Sequence, residues 1–422
     1  MRKITILHIS DLHKEKKASY NSLFQTLVKE YESFKAEEIP MPNYIVVSGD
    51  LVQGGETDAE IVQQYKDTAS FLNQLCELFL GNDKRKLIMV PGNHDVNWVT
   101  TKEVIKPSAM KDMEAAYKEY EGHNTDLRWS WDDHAYYRIT DLSKYNHRFD
   151  LFIDFYNTFY EGIYTYPDDP EKRAKFIPFE DDGIAFACFN SCCNTDHLNV
   201  AGDIDEDSIS SIAEELRESY NRGWLNIGVW HHHYYGNPYE TNYLSRYLFT
   251  DMLEYNIKIG LFGHQHLSQV AEEYTDLSYE DEELHLQKRI LLISSGTLFG
   301  GGKQLPYGQK RQYNIIEIDM DNGYADVSIN IREDVNPNAN SKIPIWMCKN
   351  IKYNRDNKIH NRVYFKKLDE SDVIMTIDRD TRRTGKYDEG LLRLEPLLQN
   401  ERAQSLYNDY VEILQSKQNA KG

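Results

Sequence analysis

The sequence predicts a layered α/β fold, and three observations predict it. Six short apolar runs end in polar or glycine-marked loops: ITILHIS, YIVVSGD, KLIMVPGNHD, GIAFACFNS, LNIGVWHHH and IKIGLFGHQH. Each has strand length and is rich in Ile, Val or Leu. Helical patterns fall between them, over Tyr20–Phe34, Ala59–Phe79, Ser208–Tyr220 and Tyr243–Tyr255. Buried strands alternating with helices make a layered domain with a largely covered sheet. Three later segments, LLISSGTL, YNIIEIDM and ADVSINI, are separated by short turns and are expected to be antiparallel strands of a second sheet.

Two regions stand apart from this alternation. Residues 96–177 are dense in Trp, Tyr and Phe and carry helical periodicity in KDMEAAYKEYEG and HRFDLFIDFYNTFYEGIY, so a helical insertion is expected after the GNHD loop. The stretch PNANSKIP reads as a loop. Beyond it lie strand-like pieces, RVYFKKL and DVIMTID, and an amphipathic helix from Glu395 to about Gln415. The expected organisation is a core over residues 1–335, including the insertion, and a small C-terminal extension over 336–422 with strands and a terminal helix.

The chain has 422 residues, enough for one large core with additions. Its 48 basic and 68 acidic residues give a net charge of −20, which disfavours non-specific grip on long duplex DNA. Between Ser341 and Gly422 there are 16 Lys and Arg against 12 Asp and Glu, which leaves −24 on the first 340 residues. A mildly basic tail follows an acidic body. The five cysteines have no paired CxxC spacing, so neither a disulfide scaffold nor a zinc ribbon is indicated; adjacent Cys192 and Cys193 read as reduced thiols at a strand end. MRKITILHIS runs into a charged DLHKEKK without a cleavage site, and no apolar run approaches a membrane span. A reducing, cytoplasmic setting without a membrane partner is the expectation.

Chemistry collects at the ends of the runs: Asp11-Leu12-His13, Gly49-Asp50, Gly92-Asn93-His94-Asp95, His231-His232-His233 and Gly263-His264-Gln265-His266. In an open α/β sheet, functional groups gather at the carboxyl ends of strands. One His-x-His pair is weak evidence, whereas ligand-type residues at five strand ends indicate a metal centre. Carboxylates, imidazoles and one amide, with no thiolate, form a mixed N/O set suited to Mn, Fe, Zn, Co or Ni. Seven ligands are too many for one tetrahedral ion and suit two ions sharing a carboxylate, a pair that can clamp an in-line displacement at phosphorus.

These motifs, in this order, resemble those of the calcineurin-like metallophosphoesterase family: D-x-H, GD, GNH[DE], a later His, and GHxH. The resemblance covers roughly residues 1–335, interrupted by the insertion, and implies the family's double β-sheet sandwich flanked by helices. It implies that Asp11, His13 and His266 hold a first metal, that Asp50 bridges, and that Asn93, His231 and His264 hold a second. It implies that His94 faces the phosphoryl group, held by the following acid, Asp95, while a hydroxide between the ions attacks phosphorus. Manganese is the expected metal, with iron, zinc, nickel or cobalt as alternatives. The family usually shows a His-His-Pro-like sequence where this chain has three histidines and no proline. His231 is preferred because it comes first beyond the apolar run, with His232 as the alternative; His233 shares a face with His231 if the strand continues.

Other polar residues have plainer readings. His8, inside the first strand, is expected to be packed, and Ser10 carries no functional signal. His123, His134 and His147 lack a strand-end context. Asp196 and His197 suit either the cleft or a loop, and Arg382 and Arg383 an exposed turn. SGTLFGGGKQ reads as scaffold near the site. Small phosphodiesters, nucleotides or phosphomonoesters fit the acidic body and an insertion that roofs the cleft. The alternative is a DNA exonuclease or endonuclease, since ILHISDLH resembles the first motif of the family's DNA-repair nucleases. A Ser/Thr protein phosphatase fits less well, because GDxVDRG and GNHE are replaced here by GDLVQGG and GNHD. A non-catalytic scaffold is opposed by the uneroded ligands. Oligomerisation through the C-terminal extension is a further expectation.

Overall fold

A computed structural model describes residues 2–13, 20–109, 114, 116–118, 126–234, 243–274, 289–300, 305, 309–321, 323–337, 343–352, 354–366 and 370–419. The expected strands of the first half form as β1 (Arg2–Ile9), β2 (Tyr44–Ser48) and β3 (Leu87–Val90). The insertion contributes β4 (Ile105–Pro107), β5 (Leu127–Ser130) and β6 (Ala135–Ile139). Then come β7 (Lys175–Phe179), β8 (Ile184–Cys188), β9 (Leu225–Val229), β10 (Ile257–Phe262), β11 (Gln269–Tyr274) and β12 (Arg289–Ser294). The last four are β13 (Gln312–Met320), β14 (Tyr324–Asp334), β15 (Trp346–Cys348) and β16 (Ile359–Tyr364).

Two sheets hold most of them. The seven-stranded sheet runs β15-β14-β13-β1-β2-β3, with β16 also paired to β14. The six-stranded sheet runs β11-β12-β10-β9-β8-β7. Strands β1, β2 and β3 are mutually parallel, as are β8, β9, β10 and β12, and their carboxyl ends meet at one rim of the molecule.

Alternation along each strand builds the layers. Ile4 and Ile6, Tyr44 and Val46, and Ile88 and Val90 face the other sheet, where they pack with Phe186, Ile227, Val229, Ile259 and Leu261. Their neighbours Leu7, Ile9, Ile45, Val47, Leu87 and Met89 face outward and are covered by the helices Tyr20–Ala36, Asp58–Leu80 and Asp150–Tyr160. The outer face of the second sheet is covered by residues of the helices Glu206–Ser210, Ala213–Asn221 and Leu248–Glu254. The fold is therefore a double β-sheet sandwich flanked by helices, as the motifs imply. The helix Asp58–Leu80 starts just after the GD loop, where the Thr57 side chain accepts from the Glu60 N–H, and ends on Gly81 in the left-handed conformation.

Several expectations need correction. LLISSGTL, YNIIEIDM and ADVSINI do not share one antiparallel sheet: β12 lies parallel to β10, while β13 and β14 extend the first sheet beyond β1. Short turns limit which strands can pair but not which sheet they join. The insertion is mixed rather than helical, since β4, β6 and β5 form a small antiparallel sheet beside the helices Trp98–Val104 and Asp150–Tyr160. DVIMTID belongs to the helix Glu370–Thr384, because Val373, Ile374 and Ile377 share one buried helical face. KDMEAAYKEYEG, PNANSKIP and SGTLFGGGKQ fall wholly or partly outside the described residues, as do His123 and the Arg383 side chain.

The extension continues the first sheet through β15 and β16 before three helices, Glu370–Thr384, Tyr387–Leu394 and Glu401–Asn419, close around Tyr364, Ile374, Leu394, Ala403 and Tyr410. All five cysteines are free thiols. No helix among the described residues is long and apolar enough to cross a membrane.

Candidate metal centre

The rim where the parallel strands end gathers every residue that the motifs single out as a ligand. Asp11 follows β1 and Asp50 follows β2, and both take positive φ of 54°. His264 and His266, after β10, also have positive φ, 75° and 57°. Non-glycine residues seldom adopt this region, and where they do the surroundings must hold them. Backbone ties do so here: the Asp11 N–H donates to the Gly49 carbonyl at 3.1 Å, the His13 N–H to the Asp50 carbonyl at 3.1 Å, and the His264 N–H to Asp11 Oδ2 at 3.2 Å.

Side chains form two connected groups. In the first, His13 Nε2 and His266 Nε2 lie 3.1 Å apart, and Asp11 Oδ1 is 3.7 Å from the former and 3.2 Å from the latter. In the second, Asn93 Oδ1 lies 3.1 Å from His231 Nε2 and 3.0 Å from His264 Nδ1. Asp50 stands between them, with Oδ2 3.9 Å from His13 Nε2 and Oδ1 3.3 Å from His231 Nε2. Asp11, His13, Asp50 and His231 are almost wholly buried.

The loops carry glycine for a steric reason. A Cβ on Gly92 would sit 2.2 Å from Asp50 Oδ1, and one on Gly263 would sit 1.9 Å from Ser10 Oγ and 2.7 Å from Asp11 Oδ2. Only a bare backbone can approach the carboxylates this closely.

Electrostatics follow from burial and crowding. Burial works against charge on Asp50, yet His231 and His94 beside it hold its carboxyl well below the ordinary carboxylate range. Burial likewise opposes charge on His231, but Asp50 and Asp11 raise it to about 9. Burial and the neighbouring His231 lower His264 to about 3. Burial and the Asp50 charge push Asp95 up to about 7.

The donor set fits metal ions. Asp11 Oδ1 is buried without a hydrogen-bond donor, although two imidazole nitrogens face it, which is an arrangement that a cation between them satisfies. Asp11, His13 and His266, then Asp11, Asp50 and His231, and also His13, Asp50 and His94, each present ligand atoms within 4.8 Å of one another. His231 Nδ1 donates to the Ser48 carbonyl at 2.7 Å, which leaves Nε2 aimed at Asp50 and Asn93.

The three histidines of the run make different contacts. His232 turns to the Ser191 hydroxyl, 3.0 Å from Nδ1, and its Nε2 has no partner. His233 does not share the His231 face, because β9 ends at Val229; its ring stacks on Tyr234 and meets Phe262.

His94 and Asp95 require a correction. The His94 ring does not touch Asp95: its Nδ1 donates to the Gln53 carbonyl at 3.1 Å, and the ring stacks loosely on Trp98 with centroids 6.2 Å apart at 21°. Asp95 instead accepts from the Leu51 N–H at 3.1 Å, the Gly92 N–H at 2.8 Å and the Tyr65 hydroxyl at 3.1 Å. A carboxylate one residue along a 3-10 turn points to the loop interior, so it pins the loop rather than the ring.

Of the remaining residues, His8 is packed, 3.0 Å from the Ser48 hydroxyl, and Arg382 is ion-paired with Asp378 on an exposed helix face. His134 sits in the β5–β6 turn and His147 pairs with Asp150. Asp196 pairs with Arg128 at 2.6 Å and His197 with Thr101 at 2.9 Å, so both anchor the insertion and neither joins the ligand cluster. Sequence reading missed Ser48, Gln53, Tyr65, Trp98 and Ser191. Ser48 and Ser191 end apolar runs at the same rim and could have been found on that ground.

Comparison with known proteins gives a family match. Residues 4–268, more than half of the chain, match the family model described as calcineurin-like phosphoesterase. No curated protein matches the chain. Among solved structures it is similar to a dimetal phosphatase from Danio rerio at 10% identity, over 78% of this chain and 96% of that one, with a TM-score of 0.38. It is also similar to the calcineurin-like phosphoesterase YfkN from Bacillus subtilis (12% identity, 92% and 98% covered, TM-score 0.31) and to GAP50, the anchor in the inner membrane complex of Plasmodium (12%, 84% and 91%, 0.34). On the sequence match, the chain belongs to the calcineurin-like phosphoesterase family, whose members are generally dinuclear metal-dependent phosphoester hydrolases.

Proposed function

We propose that this chain hydrolyses small phosphodiesters, nucleotides or phosphomonoesters at a dinuclear centre loaded with manganese. Asp11, His13 and His266 would hold one ion and Asn93, His231 and His264 the other, with Asp50 placed to serve both. The observation that carries this reading is Asp50 itself, whose two oxygens face one ligand group each, at 3.9 Å and 3.3 Å. When bound, the ions supply charge neutralisation at phosphorus and a water of lowered pKa.

The chain's own residues supply orientation and proton handling. The Ser48 carbonyl fixes the tautomer of His231, and the Asp95 hydrogen bonds fix the loop that carries Asn93 and His94. With Nδ1 of His94 committed to the Gln53 carbonyl, a proton passes to or from a leaving oxygen at Nε2.

The surroundings support a small substrate. A cavity of about 520 Å³ lies beside the Gln53 loop, lined by Gln53, Gly54, Glu56, Glu60 and Gln63 among others. Its acidic wall, with Glu56 and Glu60, opposes a polyanion. A hydrolysis panel of the manganese-loaded protein on an aryl phosphomonoester, an aryl phosphodiester, cyclic nucleotides and single-stranded DNA tests the reading. Small esters are expected to turn over faster than DNA. Exonuclease activity at physiological salt with negligible small-ester turnover would replace it with the nuclease reading.

A further inference from the structure

Resting on the reading of His94 as the group that exchanges a proton with the leaving oxygen, we propose that Gln64 is a positioning residue for His94. It acts through the backbone of the loop that follows Asp50. Three side chains of the helix Asp58–Leu80, spaced four residues apart and so near one face of it, grip that loop in turn. The Thr68 hydroxyl donates to the Leu51 carbonyl at 3.0 Å, and Glu60 Oε2 accepts from the Glu56 N–H at 3.0 Å. Gln64 lies between them and makes two bonds. Its Oε1 accepts from the Gln53 N–H at 2.8 Å, and its Nε2 donates to the Gly54 carbonyl at 2.7 Å.

The two groups that Gln64 holds bracket a single peptide unit, the one whose oxygen accepts from His94 Nδ1 at 3.1 Å. Holding a peptide unit on both sides fixes where its carbonyl points, and that carbonyl in turn fixes the ring. The loop needs such a hold, because Gly54, at φ 78°, and Gly55 after it give the backbone unusual freedom. A side-chain amide suits the task, since it offers an acceptor and a donor at one end. A carboxylate lacks the donor and an ammonium the acceptor. Gln64 is half-buried on the wall of the cavity beside the loop, so replacing it by another unbranched side chain leaves the core untouched.

Gln64→Met keeps the length of the side chain and removes both bonds. In the manganese-loaded full chain, assayed on aryl phosphomonoester and phosphodiester, kcat should fall about tenfold with KM within about twofold, because a misplaced acid or base costs turnover rather than binding. Metal content should equal the parent's. In a His94→Ala background the same substitution should leave kcat within about twofold, since the ring that Gln64 serves is gone. Gly54→Ala is strained at positive φ and disturbs the same peptide unit without touching Gln64. It should show the same dependence on His94, which covers a Gln64 variant that fails to fold. Amide exchange over residues 51–56 of the metal-free chain should quicken in Gln64→Met, a readout independent of activity. Unchanged exchange overturns the clamp. A loss of kcat that persists in the His94→Ala background, or full kcat in both folded variants, overturns the route through His94 while the functional reading stands. Failure of the parent to hydrolyse any ester overturns that reading, and the positioning role with it.

Discussion

The imidazole of His94 donates from Nδ1 to the carbonyl oxygen of Gln53, 3.1 Å away, while its sequence neighbour Asp95 bonds the Leu51 and Gly92 amides and the Tyr65 hydroxyl. Orientation of the ring and stiffness of the loop are thus divided between different partners. Asp95→Asn should lower stability by about 1–3 kcal/mol, because buried donors lose their acceptor, yet leave turnover of the folded fraction within about tenfold. Chemical denaturation and steady-state kinetics check this together. A loss of turnover as large as that of His94→Ala, without loss of stability, would show that Asp95 acts on the ring.

His94→Ala should keep both ions, since each of the two ligand groups keeps its residues without it, and should slow turnover by roughly 10²–10⁴-fold, the usual contribution of a positioned acid or base. Metal analysis beside kinetics decides it. Loss of an ion would reassign His94 as a ligand.

Trp98 opens the insertion, stacks on His94 and packs with Val96, Phe149 and Cys192, while its indole N–H is buried without an acceptor. Trp98→Phe keeps a ring and removes the unsatisfied donor, so stability should stay within about 1 kcal/mol of the parent or rise. Trp98→Ala should lower kcat more than it changes KM, because the ring acts through His94. Equal kinetics for both variants would mean that the stack has no catalytic consequence.

The sequence made the candidate ligand set legible because each candidate follows an apolar run, and parallel strands bring their carboxyl ends to one rim. Which histidine of the run faces Asp50 depends on a contact 183 positions away in the chain, His231 Nδ1 to the Ser48 carbonyl, which residue order alone does not reveal. Gln53 was invisible for a different reason: it acts through its backbone carbonyl, which every residue type carries. The helix over DVIMTID was misread because Val, Ile and Thr favour strands, whereas burial of Val373, Ile374 and Ile377 on one face overrides that preference. The sheet to which β12 belongs was likewise beyond reach, since its partner β10 lies across the segment that contains β11.

Lys258 is buried in β10, and burial lowers its ammonium from 10.5 to about 8. Between those values the unfolded chain carries the proton and the folded chain does not, so this group's penalty is full below pH 8 and is relieved as pH rises toward 10.5. Lys258→Met should therefore stabilise at pH 7 by up to about 3 kcal/mol, and the difference from the parent should shrink as pH rises through that window. A difference independent of pH, measured by denaturant titration, would contradict the burial account.

Metal stoichiometry tests most directly whether Asp50 joins two ions. The parent, reconstituted with manganese and freed of excess metal, should carry two ions per chain. Folded Asp50→Asn should lose most of its metal and nearly all hydrolysis, because a neutral amide bridges two cations poorly. Two ions retained with full activity in Asp50→Asn would contradict the dinuclear account.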